Sequence, residues 1–214
     1  MDITGSSYPY FEEYNSSTKC LTFPVFCAVT LALGEKISPD RAILEMHRPV
    51  CCSEGMKELD ALRRQVVEFL GSSHAHASLD AAIKGIPVKL RGKKPKGAEH
   101  TAWQLLEHIR IAQWDILEFS RNPKHVSPAW PDGYWPSTEA PPSTAAWSKS
   151  VRQVEADLKE MQKLVSSKKS DLFAPIPHGT GQTLLREALL LADHNAYHVG
   201  ALVLLRRLLG CWQG

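Results

Sequence analysis

The 214-residue sequence contains no Cys-x-x-Cys pair, no His-Glu-x-x-His run and almost no net charge. Each shortage excludes something. Five cysteines are an odd number, and four of them (Cys20, Cys27, Cys51 and Cys52) precede residue 53, with only Cys211 beyond. That is not a disulfide framework, and it suits a reducing compartment. The missing His-Glu-x-x-His run argues against a protease of the zincin type. With 25 basic and 23 acidic residues the net charge is +2, so no global field draws the chain to nucleic acid or to an anionic membrane. No basic arm alternates with aromatics either.

Long apolar runs are scarce too. The longest, LTFPVFCAVTLALG near 21–34, is short for a bilayer, and Pro24 interrupts it. Asp2, Glu12 and Glu13 stand before it against Lys19 alone, a poor charge pattern for a signal peptide. The expectation is therefore a cytoplasmic protein with no membrane and no nucleic-acid partner. Strand signals are almost absent as well.

What is present is ordinary globular material: 43% hydrophobic and 22% charged residues, enough for one domain with an appendage. Residues 1–55 differ from the rest. They mix Ser, Tyr, Pro and Cys without a sustained helical period. Only 38–47 reads as helix, with Ser38 as cap and Pro39 in the first turn. They hold four basic against seven acidic residues; the remainder holds twenty-one against sixteen. The expectation is a leader, native or not, over 1–55 and a domain over 56–214.

Four long helices are predicted in that domain. Leu59, Leu62, Val66, Phe69 and Leu70 mark the first, from Met56. A short helical piece follows near 78–85. Thr101 and Gln104 have capping-box spacing and open the second, in which Leu105, Ile109, Ala112, Ile116 and Phe119 recur. Trp147, Val151, Val154, Leu158 and Met161 mark a third over about 143–167. The fourth runs from Gln182 or Thr183 to about Leu209, with Gly210 as its stop. Between the second and third lies NPKHVSPAWPDGYWPSTEAPP at 122–142, with six prolines. So long a connection can run back along a bundle, which predicts an all-α four-helix bundle of up-down-down-up order.

Of nine histidines, three stand out by phase. His108 lies three residues after Leu105 and four before Ala112, on or beside the buried stripe. In the last helix the stripe Leu184, Ala188 and Leu191 continues through His194 and His198 to Leu202 and Leu205. Residues four apart share a helix face, so both imidazoles can reach one ion. A histidine on a second helix completes a set of three and leaves a coordination position open. The bland alternative is packing: imidazoles bonded to core partners, with no metal. The other histidines read as loop, cap or leader residues: His100 beside a cap, His125 and His178 in loops.

LLEHIRIAQWDILEF and DHNAYHVGALVLLRRLLG together resemble the DinB/YfiT-like superfamily of metalloenzymes, over about 56–212. The resemblance implies a four-helix bundle with a crossover after its second helix. It implies that His108, His194 and His198 ligate a divalent ion, zinc or nickel. It also implies a metal-activated nucleophile: a low-molecular-weight thiol in a transferase, or water in a hydrolase. A non-catalytic metal-binding or stress-response bundle is the third possibility. The substrate is a small molecule, and a homodimer through a bundle face would be in keeping with the family. No catalytic residue can be assigned. Asp115 and Asp193 are candidates for proton transfer or for holding a ligand, although Asp193 and Glu107 each adjoin a histidine and so point elsewhere. Asn195 and Tyr197 are candidates for the site's edge. Trp103, Trp114, Trp130, Tyr134 and Trp135 read mainly as packing, with 127–136 as a wall over the pocket. Ligating imidazoles must be neutral, so metal is expected to leave well below about pH 6.5, and retention at about pH 4 to count against an all-histidine site.

Overall fold

The computed structural model describes residues 52–71 and 75–213. The expected helix at 38–47, most of the 1–55 leader, and His47 and His74 lie outside them. From Leu62 onward the described chain forms one compact unit.

Five helices and no strand are present among the described residues. Helix α1 (Cys52–Gly71) buries Val66 and Leu70. Phe69, placed on the same stripe by its spacing, is instead 52% exposed. Its position is a quarter turn from Leu70, so one helix face cannot bury both fully. The Arg63 guanidinium donates to the carbonyls of Val165 and Ser170, and the Gln162 amide donates to the Val67 carbonyl. These bonds join α1 to residues 162–170. Helix α2 (Leu79–Ile83) is a single capped turn whose Ala82 and Ile83 enter the core.

Helix α3 (Ala102–Arg121) is the centre of the unit. The capping box forms: Thr101 and Gln104 satisfy each other's backbone N–H. Leu105, Leu106, Ile109, Ala112, Ile116 and Leu117 are all buried, more than one face can hold, because α3 packs on both of the long helices that follow it, Thr144–Ser166 and Leu184–Leu208. Helix α4 (Thr144–Ser166) is capped by Ser143 and buries Trp147, Val154, Met161 and Val165. Helix α5 (Leu184–Leu208) is capped by Thr183 and stops before Gly210, whose φ of 67° is a left-handed conformation that suits glycine. By length and composition alone α5 passes for a membrane span. In this unit it packs on α3, α2 and α4 and buries Glu187, His198 and Arg206 with its leucines.

Candidate metal centre

The site is built by one turn of α3 and one of α5. His108 follows the core stripe of α3 and is 3% exposed, because Leu105 and Ala112 on the same face fix its side toward α5. His194 and His198 are one turn apart on α5, the first half-buried and the second buried. One ring nitrogen from each of the three lies within 4.8 Å of the others. The Nε2 atoms of His108 and His194 are 3.1 Å apart. Two nitrogens each about 2.0–2.1 Å from one ion would stand at about that separation.

The protonation pattern can be read from the partners. His108 Nδ1 lies 3.0 Å from the Tyr134 carbonyl oxygen. A carbonyl only accepts, so Nδ1 carries the hydrogen and Nε2 presents a lone pair toward the other two rings. A ligating histidine is commonly held this way, by a carbonyl on its far nitrogen. Trp135 lies flat on the His108 ring, with centroids 4.0 Å apart and planes within 3°. His100 stacks on Trp135 from the other side at 3.9 Å.

Burial makes the cluster a poor home for protons. The pKa of His198 is pushed down to about 3, first by desolvation and then by the neighbouring His194 and His108. That of His194 is lowered to about 4, by desolvation and then by His108. His108 is lowered too, by burial above all. The rings therefore stay neutral, as ligands must be. This moves the expected release of metal downward: retention at about pH 4 no longer argues against three histidines. The Nδ1 atoms of His194 and His198 are buried without a hydrogen-bond partner. Buried polar groups in a settled core network nearly always have one. The donor set (three neutral imidazoles, one of them pre-oriented) fits a divalent ion.

The other candidates are dispersed. Asp193 is exposed. Glu107, expected on an outer face, is 8% exposed but grips Arg110 through both oxygens at 2.9 Å. Asn195 donates to Gln113 Oε1 at 2.9 Å, and its side chain also hydrogen-bonds His194, which opposes the lowering of that ring's pKa. Tyr197 is 74% exposed, with its ring edge-on to His198 at 4.9 Å. Trp103 joins the core, Trp114 meets His125 edge-on, and Trp130 packs against Tyr134. Trp135, taken for packing, is in the cluster, and so is the carbonyl of Tyr134. The long proline-rich connection was the only signal for either.

Asp115 is the other acidic candidate. It is fully buried, and its two oxygens accept from Tyr134 Oη and from His125 Nε2, each at 2.7 Å. His125, read as a plain loop residue, therefore closes a buried network. Apart from these clusters, an apolar cavity of about 360 Å³ lies between the ends of α1 and α2 and the middles of α4 and α5. Its α5 wall is Ala192, Asn195, Ala196 and Val199, not the histidines.

The family model described as the DinB superfamily matches residues 73–202, more than half of the 214. The chain belongs to the DinB superfamily. The match takes in α2 to α5 up to Leu202, and with them all three clustered histidines. As a DinB-superfamily protein, the chain has the all-helical architecture expected of it. No curated protein and no solved structure matches the chain.

Proposed function

We propose that this DinB-superfamily protein is a metal-dependent enzyme in which His108, His194 and His198 hold one divalent ion, zinc or nickel. The observation that carries the reading is the three-ring cluster itself: neutral nitrogens within 4.8 Å of one another, two of the rings short of partners. A bound ion would act as a Lewis acid and lower the pKa of a thiol or water placed on it. The protein's own work is positional. Tyr134 and Trp135 fix the His108 ring, α5 fixes the spacing of His194 and His198, and burial keeps the three rings deprotonated. The thiol arm of this reading is a transferase using a low-molecular-weight thiol; the water arm is a hydrolase. A cytoplasmic location and a small-molecule substrate belong to the same reading.

The reading includes up-down-down-up order. The connection leaves α3 at Asn122, yet Glu139 near its far end accepts from Thr101 Oγ1 at 2.6 Å, at the opposite end of α3. Thr138 likewise accepts from Trp103 Nε1 at 3.1 Å. Gln113, mid-helix in α3, donates to the carbonyl of Val154, mid-helix in α4. Matched registers of this kind support parallel α3 and α4.

Metal analysis of protein purified without a histidine tag tests the site. About one equivalent is expected in the wild type and none in His108→Ala; equal content in both overturns the three-ligand reading. Conjugation of electrophiles with several thiols, and hydrolysis of an ester and amide panel, with and without metal, separates the two arms. Metal binding without metal-dependent turnover in either would favour a non-catalytic bundle.

A further inference from the structure

Asp115 and His108 are seven residues apart on α3 and so share a face, two turns from each other. They do not touch. Tyr134 connects them. Its hydroxyl donates to Asp115 Oδ2 at 2.7 Å, and its carbonyl accepts from His108 Nδ1 at 3.0 Å. The residue is 1% exposed. It closes a short turn, Asp132–Tyr134, in which Gly133 N–H bonds Ala129 O at 2.7 Å and Tyr134 N–H bonds Pro131 O at 3.1 Å. Asp115's other oxygen accepts from His125 Nε2, so the carboxylate ties two points of the 122–143 connection to α3.

We propose that Asp115 is a positioning residue for the metal-facing nitrogen of His108, acting through Tyr134. This rests on the three-histidine reading above. A neutral imidazole has two tautomers, and only an acceptor on Nδ1 leaves Nε2 bare toward His194 and His198. That acceptor belongs to an irregular connection, not to a helix or strand. The buried phenol–carboxylate bond ties that turn directly to α3, on the residue whose carbonyl meets His108. The same tie sets Trp135, the next residue, flat against the ring. Gripping a backbone carbonyl by its own residue's side chain fixes its direction as well as its place. The alternative is that the Asp115 network braces the connection and leaves the histidine indifferent.

The test uses the full chain, untagged, as Tyr134→Phe and Asp115→Asn. Two measurements are made. The ¹⁵N shifts of the His108 ring in metal-free protein report its tautomer. Competition with a chelator gives the zinc dissociation constant. The wild type should show Nδ1–H alone. Tyr134→Phe should show a mixture and bind zinc roughly 10- to 100-fold more weakly, the usual effect of losing an outer partner of a ligand. Arg63→Gln, which loosens α1 from α4, should lower the melting temperature without changing tautomer or affinity. If Tyr134→Phe and Asp115→Asn melt earlier but keep the pure tautomer and wild-type affinity, the inference is overturned and the network is only a brace. If Asp115→Asn does not fold, Tyr134→Phe decides alone. If the wild type takes up no zinc or nickel, the metal reading fails, and the tautomer measurement still decides whether Asp115 and Tyr134 orient the ring.

Discussion

Two polar clusters sit on one face of α3, both buried, two turns apart. Around Asp115 the bonds are short and direct: both carboxylate oxygens accept, from a phenol and an imidazole, at 2.7 Å. Around His108, three imidazoles crowd together with one nitrogen–nitrogen contact of 3.1 Å, and two ring nitrogens are left without partners. The first cluster has matched donors with acceptors. The second leaves the Nδ1 atoms of His194 and His198 buried and unmatched. Bonded networks rigidify a core, whereas an under-bonded one stores a demand that an ion can meet. The difference tells brace from site more clearly than burial does, since both are buried.

The largest effect is expected where the network is complete. Asp115→Ala strands a buried phenol and a buried imidazole, each costing about 1–3 kcal/mol. Denaturant unfolding of metal-free protein should show a loss of about 3 kcal/mol. A loss below about 1 kcal/mol would mean that the bonds at Asp115 are not the brace they resemble. The open cluster should respond next, and in the opposite sense, to what is added. Zinc at about one hundred times its dissociation constant should stabilise the wild type by about 2.7 kcal/mol and His108→Ala not at all. Calorimetry of both, with and without zinc, checks this, and equal stabilisation of the two would place the ion elsewhere.

Acid should separate the clusters further. His194 and His198 have folded-state pKa values of about 4 and about 3, below the ordinary value of about 6.5. The unfolded chain therefore binds more protons through that interval, and stability falls as pH falls. For metal-free protein the contribution is intact above about pH 6.5 and lost by about pH 3. Buried Asp157 and Glu187 have raised values, from desolvation first, and push the other way. The measurement is thus a difference: wild type minus His198→Leu, by unfolding at several pH values. Between about pH 7 and 6 it should be smaller than the zinc effect and should grow with acidity. A flat difference would mean that His198 is not held neutral by its surroundings.

The helices were legible because their signals are local. Thr101 and Gln104 announce a cap, Gly210 a stop, and the Leu105–Ile109–Ile116 rhythm a buried face. The three histidines were legible for the same reason: phase on a helix predicts facing. Phe69 failed because a stripe read from spacing has soft edges. What escaped lies in the connection. Nothing in NPKHVSPAWPDGYWP sets which side chains turn inward, so His125, Tyr134 and Trp135 read as loop residues. Their roles depend on long-range contacts with α3, which spacing does not encode. Glu187 and Arg206 were missed differently: polar letters inside an apolar run look like its solvent face, yet both are buried.

The smallest expected effect is the sharpest test of the comparison. His194→Leu removes an imidazole whose Nδ1 is buried and unbonded, and replaces it with a side chain of similar size. The substitution gives up the 3.1 Å approach to His108 Nε2 and the interaction with Asn195. It gains by removing a polar atom that the fold does not serve. These terms oppose each other, and exchanging an unsatisfied polar group for a well-packed apolar one is often neutral. Metal-free His194→Leu should therefore unfold within about 1 kcal/mol of the wild type, while its zinc affinity collapses with the loss of a ligand. A site kept for function shows this combination: near-indifference of the fold, with loss of the ion. Were His194→Leu instead to cost about as much as Asp115→Ala, the histidines would be a second brace, and the contrast between the two clusters on α3 would disappear.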